Sequence, residues 1–146
     1  MNKIIFLLSS LVIFGFLIMS FGPSESLDVK LYYTGDEARA LFQRLSESDL
    51  NAYFIIELFD LCYLTSYTGL FLLGLRQMYP RQAGAIALPL IVGASDLIET
   101  LAVIGVLKFS VSQTIFDWLG VFTFLKWTLG AIVVLLLLVK ALLKSR

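Results

Sequence analysis

Five ionisable residues interrupt the apolar stretches of the sequence, and these are the residues best able to do chemistry. They are Glu57, Asp60, Asp96, Glu99 and Lys126. Asp and Lys each cost about 2.5–3.5 kcal/mol in the middle of a membrane helix, so such residues are expected to face the interior of a helix bundle. In each acidic pair the two residues are three positions apart and therefore share one helix face.

The charges of this group do not balance. Four carboxyls and one ammonium carry a net charge of −3 if all are ionised, and buried like charges cannot all stay ionised. We therefore expect some carboxyls to be protonated, or a further cation to be present. Arg39 or Arg44 could reach in from an outer helix, or a metal ion or cationic ligand could bind. Carboxylates alone suit hard cations such as Mg²⁺, Ca²⁺ or Mn²⁺, and any metal would be held by Asp60, Asp96 and Glu99.

The same residues allow interpretations without a bound ligand. Glu57 lies near a predicted helix end and could simply meet water, and Lys126 could pair with one carboxylate and fix the helix register. Carboxyl acid/base catalysis on a lipid-like substrate is a further alternative, for which the sequence identifies no catalytic residue. Four neighbouring hydroxyl residues could orient a ligand or hydrogen-bond between helices: Tyr63, Tyr67, Ser95 and Thr100.

The composition indicates a membrane protein. Of the 146 residues, 59% are hydrophobic and 15% are charged, against about 45–50% and about 25% in soluble domains. A single domain of this size has too little interior to bury so much apolar surface in water. The formal net charge is zero, which gives no support for nucleic-acid binding. Because there is no His and only one Cys, we expect no haem, no zinc–thiolate site and no disulfide redox centre; any other cofactor is unknown.

Apolar runs predict an all-α membrane protein, a single membrane domain over residues 1–146. A bilayer core of about 30 Å needs about 20 helical residues, and four runs qualify: 4–22, 53–75, 83–107 and 118–139. The first run could instead be a secretory signal peptide because Lys3 precedes it. Its length and the poor cleavage site at Met19-Ser20-Phe21 favour a retained helix.

A short amphipathic helix is predicted at about 35–46, in the loop between the first two spans. Thr34-Gly35-Asp36-Glu37 has the form of a capping box. Apolar residues then recur at helical spacing, at Ala38, Leu41, Phe42 and Leu45.

The distribution of Lys and Arg predicts the orientation. One set of helix flanks carries six basic residues and no acidic ones: Lys3, Arg76, Arg81, Lys140, Lys144 and Arg146. The opposite flanks carry four basic residues, which are accompanied by six acidic ones in the long loop between the first two spans. We therefore expect both termini in the cytoplasm and the loop 23–52 outside, in a plasma membrane such as the bacterial inner membrane. All five intramembrane charges then fall in the outer half of the bilayer.

Several stretches resemble a small family of uncharacterised bacterial four-helix integral membrane proteins. They are Tyr33–Ala38, Tyr53–Asp60, Tyr63, Tyr67 and Asp96–Glu99. The resemblance implies the four-helix fold and suggests that the outer helix and the acidic pair belong together, but it implies no activity. Thr100 stands where that family often has Asn, so no ligand contact is carried over to that position.

Three functions are compatible with these patterns. The first is a binding or accessory protein whose outward-facing acidic pocket holds a cation, a proton, or a cationic or lipid ligand. The second is a membrane-embedded enzyme, and the third is a structural subunit of a larger membrane complex. The expected partners are the lipid bilayer and either other membrane proteins or further copies of the chain, with no nucleic acid.

Overall fold

The computed structural model describes residues 2–21, 26–27, 30–109 and 111–144. No β-strand occurs within these ranges. The described residues form five α-helices and one short 3₁₀ helix, in this order: α1 (Asn2–Phe21), α2 (Gly35–Arg44), α3 (Glu47–Met78), α4 (Gly84–Phe109), the 3₁₀ helix (Gln113–Ile115) and α5 (Phe116–Lys144). Four of them, α1, α3, α4 and α5, are long and apolar enough to cross a membrane, which confirms that part of the predicted fold.

The structure makes α3 longer at both ends than the predicted span. It has 32 residues, or about 48 Å at 1.5 Å per residue. It begins at Glu47 because Ser46 caps it: the Ser46 hydroxyl accepts from the Asp49 amide at 3.2 Å, and the Asp49 carboxylate accepts from the Ser46 amide at 3.3 Å. Hydropathy marks only the apolar part of a helix, whereas this reciprocal cap sets where the helix starts.

The short helix α2 has the same kind of start. The Thr34 hydroxyl accepts from the Glu37 amide at 3.3 Å, and the Glu37 carboxylate accepts from the Thr34 amide at 2.7 Å. The helix ends at Arg44, two residues before the predicted end, because Ser46 is already the cap of α3. Its buried side chains include Leu41 and Phe42.

The long helices pack in chain order, with α1 on α3, α3 on α4, and α4 on α5, while α2 packs on α5. Buried apolar residues form two clusters. The one beside α2 includes Phe42, whose ring stacks on Phe116 at 5.2 Å and lies 5.1 Å from the ring of Tyr53. The other lies at the opposite end of the bundle around Leu75 and Val133. Helix α4, which carries the acidic residues Asp96 and Glu99, packs against both α3 and α5.

Two glycines allow the segment around α2 to approach α5 closely. A Cβ atom on Gly120 would overlap the backbone oxygen of Tyr33, and one on Gly35 would overlap the side chain of Asp117. The backbone of Tyr33 therefore lies directly against α5. Its side chain is 1% exposed, so this part of the chain enters the protein interior.

Candidate functional site: a buried cluster of charged and hydroxyl groups

Asp96 and Glu99 occupy one face of α4, where both are buried. Lys126 of α5 lies between them. Its Nζ atom is 2.5 Å from Asp96 Oδ1 and 2.8 Å from Glu99 Oε2. The three residues are 4%, 1% and 9% exposed, respectively. The structure thus brings together three of the five predicted charges in a pair of enclosed ion pairs.

Hydroxyl groups complete the surroundings of the two carboxylates. Tyr67 of α3 donates its hydroxyl to Asp96 Oδ2 at 2.6 Å. Glu99 Oε1 accepts from Thr123 of α5 at 2.5 Å and from Tyr33 at 2.9 Å. We refer to these six residues as the charged cluster: Tyr33, Tyr67, Asp96, Glu99, Thr123 and Lys126. Its members come from α3, α4, α5 and the segment before α2.

The remaining two predicted acids lie on α3. Asp60 is half-buried and accepts a hydrogen bond at 3.0 Å from Thr100, the residue that follows Glu99 on α4. Glu57 is 1% exposed, so the structure encloses it, contrary to the interpretation in which it meets water. Glu57 therefore lies inside the protein too, and the half-buried Asp60 is joined to α4 through a hydroxyl.

The two arginines predicted to reach the carboxylates lie at the surface around α2. Arg39 donates to Asp117 Oδ1 and to Asp36 Oδ1, at 2.7 Å in both cases. These two hydrogen bonds raise the pKa of Arg39, and the bond to Asp36 has the larger effect. Arg44 is exposed, and its Nε atom donates to the backbone oxygen of Ala40 at 3.2 Å. Arg39 thus joins α2 to the first turn of α5 and does not contact Asp96 or Glu99.

No three His, Cys, Asp or Glu side chains within the described ranges are grouped so that they could hold a metal ion. Asp60, Asp96 and Glu99, the predicted ligands, are not such a group. One oxygen of Asp96 and one of Glu99 instead contact the ammonium of Lys126. A cation of the protein itself therefore occupies the place between the two carboxylates.

Two members of the charged cluster were not among the residues predicted from the sequence. Thr123 precedes Lys126 by three positions, so the two share one face of α5, and that spacing could have identified it. Tyr33 lies next to the cap residue of α2 and far along the chain from Glu99. No local pattern indicates their contact, because it arises only when the segment before α2 packs against α5.

Comparison of the chain with protein-family models, with curated proteins and with solved structures gave no match. The resemblance of the sequence to a family of four-helix membrane proteins therefore stays a prediction. The charged cluster and its surroundings are what bear on function.

Proposed function

We propose that this chain is an integral membrane protein of the bacterial inner membrane that binds a proton among its buried carboxyl groups. The four long apolar helices support the membrane location. Their outer faces carry large apolar side chains, such as Phe16 at 69% and Met19 at 88% exposed. A contiguous apolar exterior of this kind is stable against lipid and not against water.

The observation that carries the proposal is the charge enclosed by the protein. We call Glu57, Asp60, Asp96 and Glu99 the acidic layer. Three of these four carboxyls are at most 4% exposed, and Lys126 can offset only one of the four negative charges. If all are ionised, the four carboxyls and Lys126 carry a net charge of −3, and an excess of like charge in a low-dielectric interior is unfavourable. Protons bound by the carboxyls reduce this excess without requiring any space.

Lys126 makes the proton a better ligand than a larger cation. The ammonium already lies 2.5 Å and 2.8 Å from Asp96 and Glu99, so a metal ion or a cationic headgroup would have to displace it. A proton can be added to a carboxyl oxygen while the helices stay in place. The burial of the two acids also disfavours the enzyme alternative, because a catalytic carboxyl must come within hydrogen-bond distance of its substrate.

Every element packed around Glu99 contributes to the proton equilibrium. Asp96 lies beside it on α4, and Lys126 and Thr123 face it from α5. Tyr33 donates to it from the segment before α2. The titratable groups of α3 on the neighbouring face are Glu57, Asp60, Tyr63 and Tyr67. Tyr33 belongs to the segment before α2, in the outer part of the chain. Proton uptake at Glu99 would change the hydrogen bond from Tyr33 and so affect this segment, as expected of an accessory protein.

Infrared spectroscopy of the purified protein tests proton binding directly, because the C=O stretch of a protonated carboxyl is resolved from that of a carboxylate. We expect the wild-type protein to show a protonated-carboxyl band at neutral pH. The band should disappear in the variant that removes the residue carrying the proton. The variants are Glu57→Gln, Asp60→Asn, Asp96→Asn and Glu99→Gln, each made singly.

The matched control is Asp117→Asn, which removes an exposed carboxyl outside the acidic layer. The band should be unchanged in this variant. If the wild-type protein shows no protonated carboxyl at neutral pH, proton binding is wrong. A band that appears only after chelation of divalent ions would mean that the carboxyls bind a metal ion and not a proton.

The second candidate is a structural subunit in which the charged cluster holds the helices together. It is favoured by one observation, namely that the cluster joins α3, α4, α5 and the segment before α2 through side-chain contacts. A fully ionised acidic layer together with co-purification of a stoichiometric membrane partner would support this candidate. The infrared measurement therefore separates the two proposals.

The proposed orientation places both termini in the cytoplasm. Lys140 of α5 lies over the ring of Tyr79, and Lys3 lines a shallow groove with Leu73. Lys3 and Lys140 thus lie near the end of the bundle where α3 joins α4. This is the end with basic flanks, which are typically cytoplasmic.

Single cysteines can test this orientation in a Cys62→Ser background. Ser48 and Gln77 are both exposed, at opposite ends of α3. A thiol reagent that cannot cross membranes should label Ser48→Cys in spheroplasts, and Gln77→Cys only after the membrane is opened. The reverse pattern would invert the proposed orientation.

A further inference from the structure

A cavity of about 180 Å³ lies at the end of the bundle where α3 joins α4, far from the charged cluster. Leu75, Leu88 and Leu136 form much of its apolar lining, and Tyr79, Gln82 and Gly84 also line it. Gly84 leaves open space, since a Cβ atom added there would meet nothing within 4 Å. The cavity therefore lies between α3, α4 and α5 at the proposed cytoplasmic boundary of the membrane.

Lys140 lies beside this cavity. Its Nζ atom is 5.4 Å from the centre of the Tyr79 ring, and the Tyr79 hydroxyl donates to the backbone oxygen of Leu136 at 3.2 Å. Two further basic residues adjoin the residues that line the cavity, because Arg76 follows Leu75 and Arg81 precedes Gln82 in the chain. The cavity thus has an apolar interior and basic residues around it.

The chain supplies no acidic residue to neutralise this end. Residues 1–24, 61–95 and 118–146 contain no Asp or Glu. The ion pairs that Arg39 and Lys126 form with Asp36, Asp117, Asp96 and Glu99 belong to the outer half of the protein. No Asp or Glu side chain of these stretches is therefore available as a counter-charge for Lys140, Arg76 and Arg81.

We infer that this cavity binds an anionic phospholipid of the cytoplasmic leaflet. The phosphate would lie against Lys140 and the neighbouring arginines, and the first part of one acyl chain would enter the cavity. Basic pockets between membrane helices on the cytoplasmic side bind anionic headgroups in this way. A second copy of the chain does not fit, because its own basic end would be repelled. The inference goes beyond the proposed function and uses only its membrane orientation.

Native mass spectrometry of the detergent-solubilised protein can test the site. The protein is titrated with phosphatidylglycerol or with phosphatidylcholine of the same acyl chains, and the bound lipid is counted. We expect phosphatidylglycerol to bind more tightly than phosphatidylcholine. Lys140→Gln should weaken its binding about fivefold, the factor expected for one basic residue near a headgroup.

Two further variants make the test specific to the cavity. Lys3→Gln removes the same charge from the same end but does not line the cavity, so it should leave the affinity unchanged. Gly84→Leu should fill the open space and lower lipid binding. Far-UV circular dichroism and the melting temperature establish that each variant is folded.

Three outcomes would overturn the inference. They are equal binding of the two lipids, equal weakening by Lys3→Gln and Lys140→Gln, and undiminished binding to folded Gly84→Leu. A further arm adds inorganic phosphate, and full competition by phosphate would reduce the site to a headgroup contact and overturn the acyl-chain part. None of these measurements depends on the acidic layer, so the lipid site and the proton proposal can fail separately.

Discussion

Replacement of Lys126 by methionine should destabilise the protein strongly at neutral pH. Methionine keeps an unbranched apolar stem but removes the ammonium that contacts Asp96 at 2.5 Å and Glu99 at 2.8 Å. Because the residue is only 9% exposed, water cannot take the place of the lost group. Two carboxylates would remain enclosed without their cation.

The expected loss is about 3–5 kcal/mol. A hydrogen bond to a charged group contributes about 1.5–3 kcal/mol, and Lys126 donates one to Asp96 in addition to its ion pair with Glu99. Removal of one partner from a buried ion pair costs about 3–5 kcal/mol in other proteins, and this range is the expected loss. The hydroxyl donors of Tyr67, Thr123 and Tyr33 stay in place and keep the loss from exceeding this range.

The loss should be recovered when the two carboxylates are removed together with the ammonium. In the Lys126→Met protein the carboxylates of Asp96 and Glu99 have lost their cation, whereas Asn and Gln at these positions carry no charge. Unfolding by sodium dodecyl sulfate in mixed micelles, followed by far-UV circular dichroism, measures the free energy of unfolding of each variant. The triple variant Lys126→Met, Asp96→Asn, Glu99→Gln should recover most of the stability.

Lys108→Met is the matched control. Lys108 is exposed, donates to Asn51 at 2.8 Å and lies 4.7 Å from the centre of the Phe54 ring. Its replacement should cost less than about 1 kcal/mol. A loss for Lys126→Met as small as that of the control, or a triple variant as unstable as Lys126→Met, would refute the assignment of Lys126 as the cation that holds Asp96 and Glu99.

Two further predictions concern the outer part of the chain. Gly120→Ala should destabilise the protein by about 1–3 kcal/mol, as overpacking does, because the new methyl group overlaps the Tyr33 backbone oxygen. The control Gly130→Ala, whose Cβ atom has no contact shorter than 4.0 Å, should be neutral or stabilising. Equal melting temperatures of the two variants in detergent would contradict the close approach of Tyr33 to α5. Hydrogen bonds from Thr34 lower the pKa of Glu37, so Glu37 stabilises α2 above its unfolded pKa and this contribution is lost as the pH falls through the lowered value. The protection factors of the α2 amides, which are corrected for the pH dependence of intrinsic exchange, should then fall at acidic pH, whereas Glu37→Gln should show no such fall.

The helices could be predicted from the sequence where their determinants are local. Thr34 and Glu37 are three residues apart, so the cap of α2 is visible in the sequence. Hydropathy predicts that α3 begins at Tyr53, six residues after its start in the structure, because the first turns of α3 are polar and hydropathy registers only the apolar part. The cap residues Ser46 and Asp49 carried the missing information, and their spacing indicates the boundary that the structure shows.

The charged cluster could be predicted only in part. The spacing of Asp96 and Glu99 places both on one face of α4, and the cost of burying Lys126 directs it inward. The partner that each charged residue contacts cannot be predicted from spacing, because it depends on how helices far apart in the chain pack. Arg39 is an example, since the sequence contains several carboxylates near it and only the packing of α2 on α5 brings it to Asp117.

The attachment of the outer segment, residues 30–45, depends more on Tyr33 than on Arg39. Arg39 pairs with exposed carboxylates, and surface ion pairs contribute little because water and salt screen them. Tyr33 is 1% exposed and donates to a carboxylate that is also 1% exposed, and a buried hydrogen bond to a charged acceptor contributes about 1.5–3 kcal/mol. Most of the polar attachment energy of the segment is therefore linked to the charge of Glu99. A change in the protonation of the acidic layer would weaken this contact while leaving the Arg39 pairs intact, so that the outer segment would loosen first at Tyr33.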